Sequence, residues 1–474
     1  MKKKSIVVSV LSLIMTFCIS CSTDNMIVNE PSNNSQPKEI EFSEQEYKVL
    51  GNISKPNKIG MDDAINNISN YSLNNGTRSE GGELKEIGVL TKAKFGTIAD
   101  SISAILPDTL AYVLYSEQNG TYTIASADNR IENPILAILN DNILDGEDAE
   151  EKLMVLETLV QYVYWGIRNY ESAKDETLEE ILNKINMNES GASTRAQDNP
   201  GYTEDDLLVI DYEIGGWYLT DYVDKMIPVE WGQGAPYNEK VKNKKSCGTV
   251  PVGCVATAVA QVAAFWHYPT SINGITLNWN QLTSNKKINA NETSKVNQVS
   301  TLMKAIGEGS DMDYDCNVSS SRVYKGRNWL QNHGYIDGSE RSYNYSDVVT
   351  SLKSGCPVLA EGFRELENYV LFSITDHGHA WVIDGFAVNE RKRRRQVYVK
   401  KDKITGQQVL LSDNIYTEKS KTLHNNWGWN GSYNGWFPEG CFDSHNASKR
   451  SSTITRGTDE NYQYNRKIYI NLRH

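Results

Sequence analysis

The 474-residue chain carries 48 basic and 60 acidic side chains, a net charge of −12, and 39% apolar residues. At roughly 100–200 residues per domain this length allows two to four folded domains. The acidic balance argues against a nucleic-acid partner, which would require clustered positive charge. Tyr outnumbers Phe by 26 to 9, a bias suited to a wet, amphipathic, extracytoplasmic surface.

The first segment reads as an export signal. Lys2, Lys3 and Lys4 precede an apolar run, Ile6–Phe17, which is too short to span a bilayer as a mature helix. Cys18-Ile19-Ser20-Cys21 follows, and a Cys directly after a small residue at the cut resembles a bacterial lipoprotein signal. Cys18 stands where that signal usually has Leu. The expectation is a signal peptide over 1–20, lipidation at Cys21, and a polar, disordered tether over 21–41. Export would place the protein at the cell surface or outer membrane as a lipoprotein, with release of a mature secreted form as the variant. The membrane would be touched only through the lipid anchor.

Residues 42–200 contain no His and no Cys, so they supply neither a thiol nucleophile nor a base for neutral pH. They nevertheless read as folded. Ala111–Tyr115 and Tyr122–Ser126 are short strand-like runs around the hairpin signal Gln118-Asn119-Gly120. Leu153–Ile185 has apolar residues at helical spacing and is expected to form one or two amphipathic helices. The stretch from Asn188 to Gly201 is small, polar and turn-rich, which predicts a linker and a site of proteolytic nicking. The main domain boundary is placed there, separating 42–200 from 201–474.

In the second part, Val255–Trp266 is almost wholly apolar and ends at His267-Tyr268-Pro269, the pattern of a helix buried on every face. A second helix is expected over Ser294–Ile306, and strands over Ala380–Asp384, Gln396–Lys400 and Lys467–Leu472. Helices first and strands later, without βαβ alternation, indicate α+β. The run Glu390-Arg391-Lys392-Arg393-Arg394-Arg395 is expected to be a solvated hairpin turn.

All seven His lie between His267 and His474, and Cys247, Cys254, Cys316, Cys356 and Cys441 lie in the same half. Five is an odd number for an exported protein, so at least one thiol is unpaired, and no CxxC pair suggests zinc. Cys254 follows Gly253 at the start of the apolar helix, where the dipole and unpaired N–H groups favour a thiolate and lower the thiol pKa. A Cys nucleophile needs a base. His377 and His379 precede an apolar strand and face one side at period two; His379 abuts the strand and is the better base. A metal-binding reading of this His pair finds no further spaced ligand cluster. Asn426-Trp427 offers an amide to orient the imidazole and an indole to shield that bond. Gln233, on the glycine loop Trp231–Asn238, could hold an oxyanion together with the Cys254 N–H.

Taken together these segments resemble the streptopain family of papain-like cysteine peptidases. Its pattern W-x-Q-G-x-P-Y-N, G-C-V-A-T-A-x-A-Q, G-H-A-x-V-I-D-G and N-W-G-W-x-G is similar to Trp231–Asn238, Gly253–Gln261, Gly378–Gly385 and Asn426–Gly431. Met312-Asp313-Tyr314 with Ser319–Val323 resembles the segment lining the family's substrate cleft, though Cys316 stands where a small residue is expected. Tyr112–Leu114, Ile124–Arg130 and Pro134–Leu136 resemble its inhibitory prosegment. The resemblance implies a papain-like domain of a helical lobe and an antiparallel sheet lobe, behind an α+β prodomain that acts as an intramolecular inhibitor. It implies Cys254 as nucleophile, His379 as acid/base, Asn426 as orienter, Trp427 as shield and Gln233 as oxyanion donor. Gly378 and Ser319 would touch the backbone of protein or peptide substrates, with no cofactor and no metal. A non-catalytic surface binding lipoprotein on the same scaffold is the alternative, and intact catalytic members weigh against it. A transglutaminase-like acyl transferase shares the Cys–His order but usually has an Asp orienter.

Overall fold

A computed structural model describes residues 40–53, 55–68, 70–71, 73, 84–95, 100–145, 150–190, 201–242, 247–362, 378–400, 407–442 and 466–474. The signal segment, Cys21, most of the tether, most of the linker and His377 lie outside the described residues.

The first region starts with α1 (Glu44–Ile53) and α2 (Met61–Asn67). Ser43 and Glu46 cap α1 reciprocally: the Ser43 N–H donates to Glu46 Oε2 at 2.6 Å and the Glu46 N–H to Ser43 Oγ at 3.3 Å. Then come β1 (Leu84–Thr91), α3 (Asp100–Ile105), β2 (Thr109–Ser116), β3 (Thr121–Ser126) and β4 (Ile135–Leu139). The β2–β3 hairpin lies where expected, turning at Gly120 with φ of +63°. α4 (Glu150–Ser190) is one unbroken helix, because no Pro interrupts the apolar period.

The second region opens with β5 (Leu207–Glu213) and β6 (Tyr218–Val223), followed by α5 (Cys254–Trp266). After it come β7 (Ser271–Ile272), β8 (Ile275–Thr276), α6 (Trp279–Leu282), α7 (Thr293–Gly309) and α8 (Val323–Asn332). The chain then runs through β9 (Ser339–Ser342), α9 (Tyr345–Lys353), β10 (Val358–Gly362), β11 (His379–Lys400), β12 (Gln408–Asn426), β13 (Gly435–Pro438) and β14 (Lys467–Ile470). Every residue of α5 from Val255 to Ala264 is buried, which explains its apolar surface on all sides. The helix ends at His267 in the left-handed conformation, just before Pro269. Cys247 and Cys316 form a disulfide; Cys254, Cys356 and Cys441 are free thiols.

One antiparallel sheet of 12 strands crosses both regions in the order β1-β2-β3-β4-β13-β12-β11-β10-β14-β9, with β5 and β6 also paired to β11. Mixed helix and sheet is as expected. The sheet runs from the first region into the second: β4 joins β13 through Leu139–Gly435 and Ile138–Trp436. Gly435 permits that approach, since a Cβ there would lie 2.3 Å from the Ile138 carbonyl oxygen. A shared core seals the junction, with Leu136, Leu159 and Val163 packed with Trp381, Trp427 and Phe437.

The basic run corrects an expectation. It is no solvated turn but the middle of β11, paired with β12 on one edge and β5 and β6 on the other. With period two, alternate arginines share a face. Arg391 is 4% exposed, lies 4.5 Å from the Trp217 ring and bonds Glu418 at 2.7 Å. Arg393 and Arg395 both bond Asp211, at 3.0 and 2.7 Å, and Lys55 reaches the same carboxylate at 3.3 Å. Arg395 also lies over the Tyr416 and Tyr47 rings and donates to the Tyr47 carbonyl of α1. These positive charges hold a half-charged sheet interior together and fasten α1 to the ribbon.

Asp211 is therefore the common acceptor of three cations. Asp211→Ala would strand buried positive charge and is expected to cost roughly 3–5 kcal/mol. The readout is a lower chemical denaturation midpoint and earlier proteolytic release of the α1 segment.

Candidate active site

The nucleophile candidate is set by the backbone before it. Gly253 has φ of +87°, a conformation glycine adopts without strain. A Cβ there would lie 2.6 Å from Met312 Sδ and 2.9 Å from the Ser319 carbonyl oxygen. The Met312–Ser320 segment thus packs directly on the peptide before Cys254, closed by paired hydrogen bonds between Asp313 and Ser320 and bridged to the preceding loop through Cys247–Cys316. Ser319 is 2% exposed, and its Oγ has no hydrogen-bond partner among the described residues.

The half-buried Cys254 sulfur lies against the backbone N–H groups of Ala380, at the start of β11, and of Val255. Burial pushes its thiol up from the ordinary value and the Glu361 charge adds to that, whereas the amide donors pull it down. The expected lowering of this pKa at the helix N-terminus is not what the structure shows. Loss of water outweighs the dipole here.

His379 begins β11 and is carried beside Cys254 by the Ala380 contact. Its Nε2 lies 2.9 Å from the Trp427 carbonyl oxygen. A carbonyl can only accept, so Nε2 carries the proton and the lone pair sits on Nδ1, the tautomer a general base needs. The ring is walled by Trp429, Trp381 and Trp427, with centroids at 4.8, 6.2 and 6.1 Å. This loss of water lowers the imidazole pKa to about 4, against the upward pull of the Trp427 carbonyl.

Asn426 does not bond the imidazole in this structure. Its Nδ2 donates to the Val229 carbonyl at 2.9 Å and its Oδ1 accepts the Gly428 N–H at 3.3 Å, so both ends of the amide are occupied. Orientation of the ring falls to the next residue's carbonyl instead. Asn426 anchors the segment that leads to Gln233. Trp427 is 2% exposed, stacks on Trp429 at 5.3 Å and donates from Nε1 to the Tyr433 carbonyl at 3.0 Å.

Gln233 accepts the Val252 N–H on its backbone carbonyl at 2.9 Å, which pins it two residues before Cys254, and its side chain is half-buried. Gly378 is half-buried and immediately precedes His379. The structure thus gathers Gln233, Cys254, Ser319, Gly378, His379, Asn426 and Trp427 around the meeting of α5 and β11.

Three supports were not anticipated. Asn425 is fully buried and accepts the Trp381 Nε1–H at 2.8 Å, fixing one wall of the imidazole pocket. Asn434 accepts the Trp427 N–H at 2.9 Å. His424 Nδ1 lies 2.6 Å from Asp384, whose other oxygen accepts the Ile227 N–H at 2.9 Å. Asp384 lies inside a motif already quoted and Asn425 directly precedes another, so their residue types were visible while their partners were not.

In this closed form the neutral thiol and neutral imidazole are favoured over the ion pair. A histidine-resolved NMR titration should find the His379 ring neutral down to about pH 4, against 6.5 for a solvated ring. The unfolded chain binds this proton at higher pH than the folded one, so this group's contribution to stability falls as pH drops from about 6.5 towards about 4. A midpoint near 6.5 would show a hydrated ring.

No curated protein matches the chain significantly. Among solved structures it is similar to a fragment of Prevotella intermedia prointerpain A, with 19% identity, coverage of 82% of this chain and 97% of that one, and a TM-score of 0.42. It is also similar to active wild-type Prevotella intermedia interpain A cysteine protease, with 22% identity, coverage of 52% and 94%, and a TM-score of 0.36. The family model described as the Peptidase C10 family matches residues 231–437, which hold all of the gathered residues. That stretch matches the peptidase C10 family, the streptopain family, and the match supports a cysteine-type peptidase.

Proposed function

We propose that the protein is an exported cysteine endopeptidase made as a zymogen, with Cys254 as nucleophile and His379 as acid/base. The observation that carries this reading is the placement of the Cys254 sulfur, at a helix N-terminus, against the Ala380 N–H beside His379. In the reaction, the thiol proton passes to His379 Nδ1 and the sulfur attacks the scissile carbonyl. The Gln233 amide and the Cys254 N–H hold the oxyanion. His379 then protonates the leaving amine, and water hydrolyses the thioester. The Trp427 carbonyl holds the ring tautomer, and Gly378 and Ser319 meet the substrate backbone. The helices α5, α7 and α8 would form one lobe of a papain-like domain and the β10–β14 strands the other.

Residues 42–200 are read as the inhibitory prodomain and 201–474 as the peptidase. In support, β4 pairs with β13, and Asp141 accepts the Tyr433 N–H at 2.7 Å, on the loop that carries Trp427 and Trp429. The raised thiol and lowered imidazole pKa suit a latent form. Maturation would cut between about residues 188 and 229. Export through residues 1–20 and lipidation of Cys21, giving a cell-surface or outer-membrane lipoprotein, complete the proposal; its motivation is the sequence of that segment.

Purified full-length protein should process itself and cut casein, with a new N-terminus in that window by mass spectrometry. Cys254→Ala should do neither. Gln233→Ala should fold but lose roughly 10²–10³ in kcat. Self-processing that persists in Cys254→Ala, with no other protease present, would overturn the assignment.

A further inference from the structure

Glu361 lies on β10, is 3% exposed and has no role in the chemistry above. Its Oε1 accepts the Tyr469 hydroxyl at 2.9 Å, and its Oε2 accepts the Val323 N–H at 3.2 Å. Val323 is the first residue of α8, and the cap residue Arg322 provides no side-chain cap. The Glu361 carboxylate therefore caps α8 from another element, where negative charge is favourable. α8 in turn rests on the nucleophile helix: a Cβ on Gly326 would lie 2.9 Å from Val255 and 2.7 Å from Val259. Glu361 is also the ladder partner of Ala380, whose N–H meets the Cys254 sulfur. One carboxylate is thus joined to the end of the cleft segment, to the packing of α5 and to the strand bearing His379.

The two hydrogen bonds do not require a charge, since a glutamine could accept the Val323 N–H and pair with the Tyr469 hydroxyl. The carboxylate sits one strand from the sulfur, across Ala380, where a negative charge works against a thiolate. The charged groups facing Glu361 are Lys467 and Arg322, with Tyr469, and no Lys or Arg forms a direct ion pair with it among the described residues. The titratable group beside Cys254 on β11 is His379. We infer that Glu361 is a positioning residue for Cys254: it latches the cleft segment through α8, and it sets a carboxylate beside the sulfur across its ladder partner Ala380. Burial raises the Glu361 carboxyl itself, against the pull of its hydrogen bonds and the two cations. The two titrations are thereby coupled.

This inference rests on Cys254 being the nucleophile, and its test separates the two. Full-length protein is alkylated with iodoacetamide across pH, and the Cys254 peptide is quantified by mass spectrometry with Cys356 and Cys441 as buried references. Glu361→Gln should lower the alkylation midpoint of Cys254 by roughly 0.5–1.5 pH units. Tyr469→Phe, which removes one hydrogen bond and keeps the charge, should leave it unmoved. A Glu361→Gln midpoint equal to wild type, or an equal fall in Tyr469→Phe, overturns the inference while the nucleophile stands. Cys254 reacting no faster than Cys356 at any pH overturns both.

Discussion

The structure depends on one close approach, between the first peptide of α5 and the first residues of β11. Gly253 takes a left-handed φ and leaves no room for a side chain, with Met312 and Ser319 pressed against it. That lets the Cys254 sulfur reach the Ala380 N–H. β11 cannot drift away, because β10 and β12 grip it on both edges at this point. Asn426 and Asp384 then tie the strands to Val229 and Ile227, and so to the loop carrying Gln233. The gathered residues arrive from positions 233, 254, 319, 379 and 427, yet each is held by a backbone contact of its own.

The electrostatics of the site follow from water exclusion. Three indoles around His379 and the packing of α5 against the sheet remove solvent from both partners, which pushes the thiol up and the imidazole down. Each shift favours the neutral member, so the pair rests uncharged in the closed chain. The first region takes part in this closure. Its β4 completes the edge of β13, and its apolar residues share a core with Trp381 and Trp427. Edge pairing of this kind is a general means of docking one segment on another. Far from the site, the Asp211 cluster and the apolar contacts of Val49, Leu50 and Ile181 with Val397 and Val399 fasten the same region to the distal ribbon.

What could be read from the sequence was local. The apolar helix, its stop at Pro269, the β2–β3 hairpin and the motif residues each sit in a stretch whose own pattern specifies it. What could not be read depends on partners far along the chain. The arginines of β11 resemble a solvated turn until Asp211, Trp217 and Glu418 surround them. The Cys247–Cys316 bridge spans a separation of 69 residues that no spacing rule selects. A backbone carbonyl has no sequence signature, so Trp427 as the acceptor for His379 was invisible while the amide of Asn426 was conspicuous. The Cys254 thiol departs from its sequence expectation for the same reason: the dipole is local, whereas burial is a property of the finished fold.

The account stands on the adjacency of one sulfur and one imidazole, and a short bifunctional alkylating agent measures it directly. Full-length protein treated with 1,3-dibromoacetone and digested should yield a peptide pair cross-linked between Cys254 and His379. Cys254 alkylated but joined to another histidine such as His424, or alkylated with no cross-link at all, would contradict it.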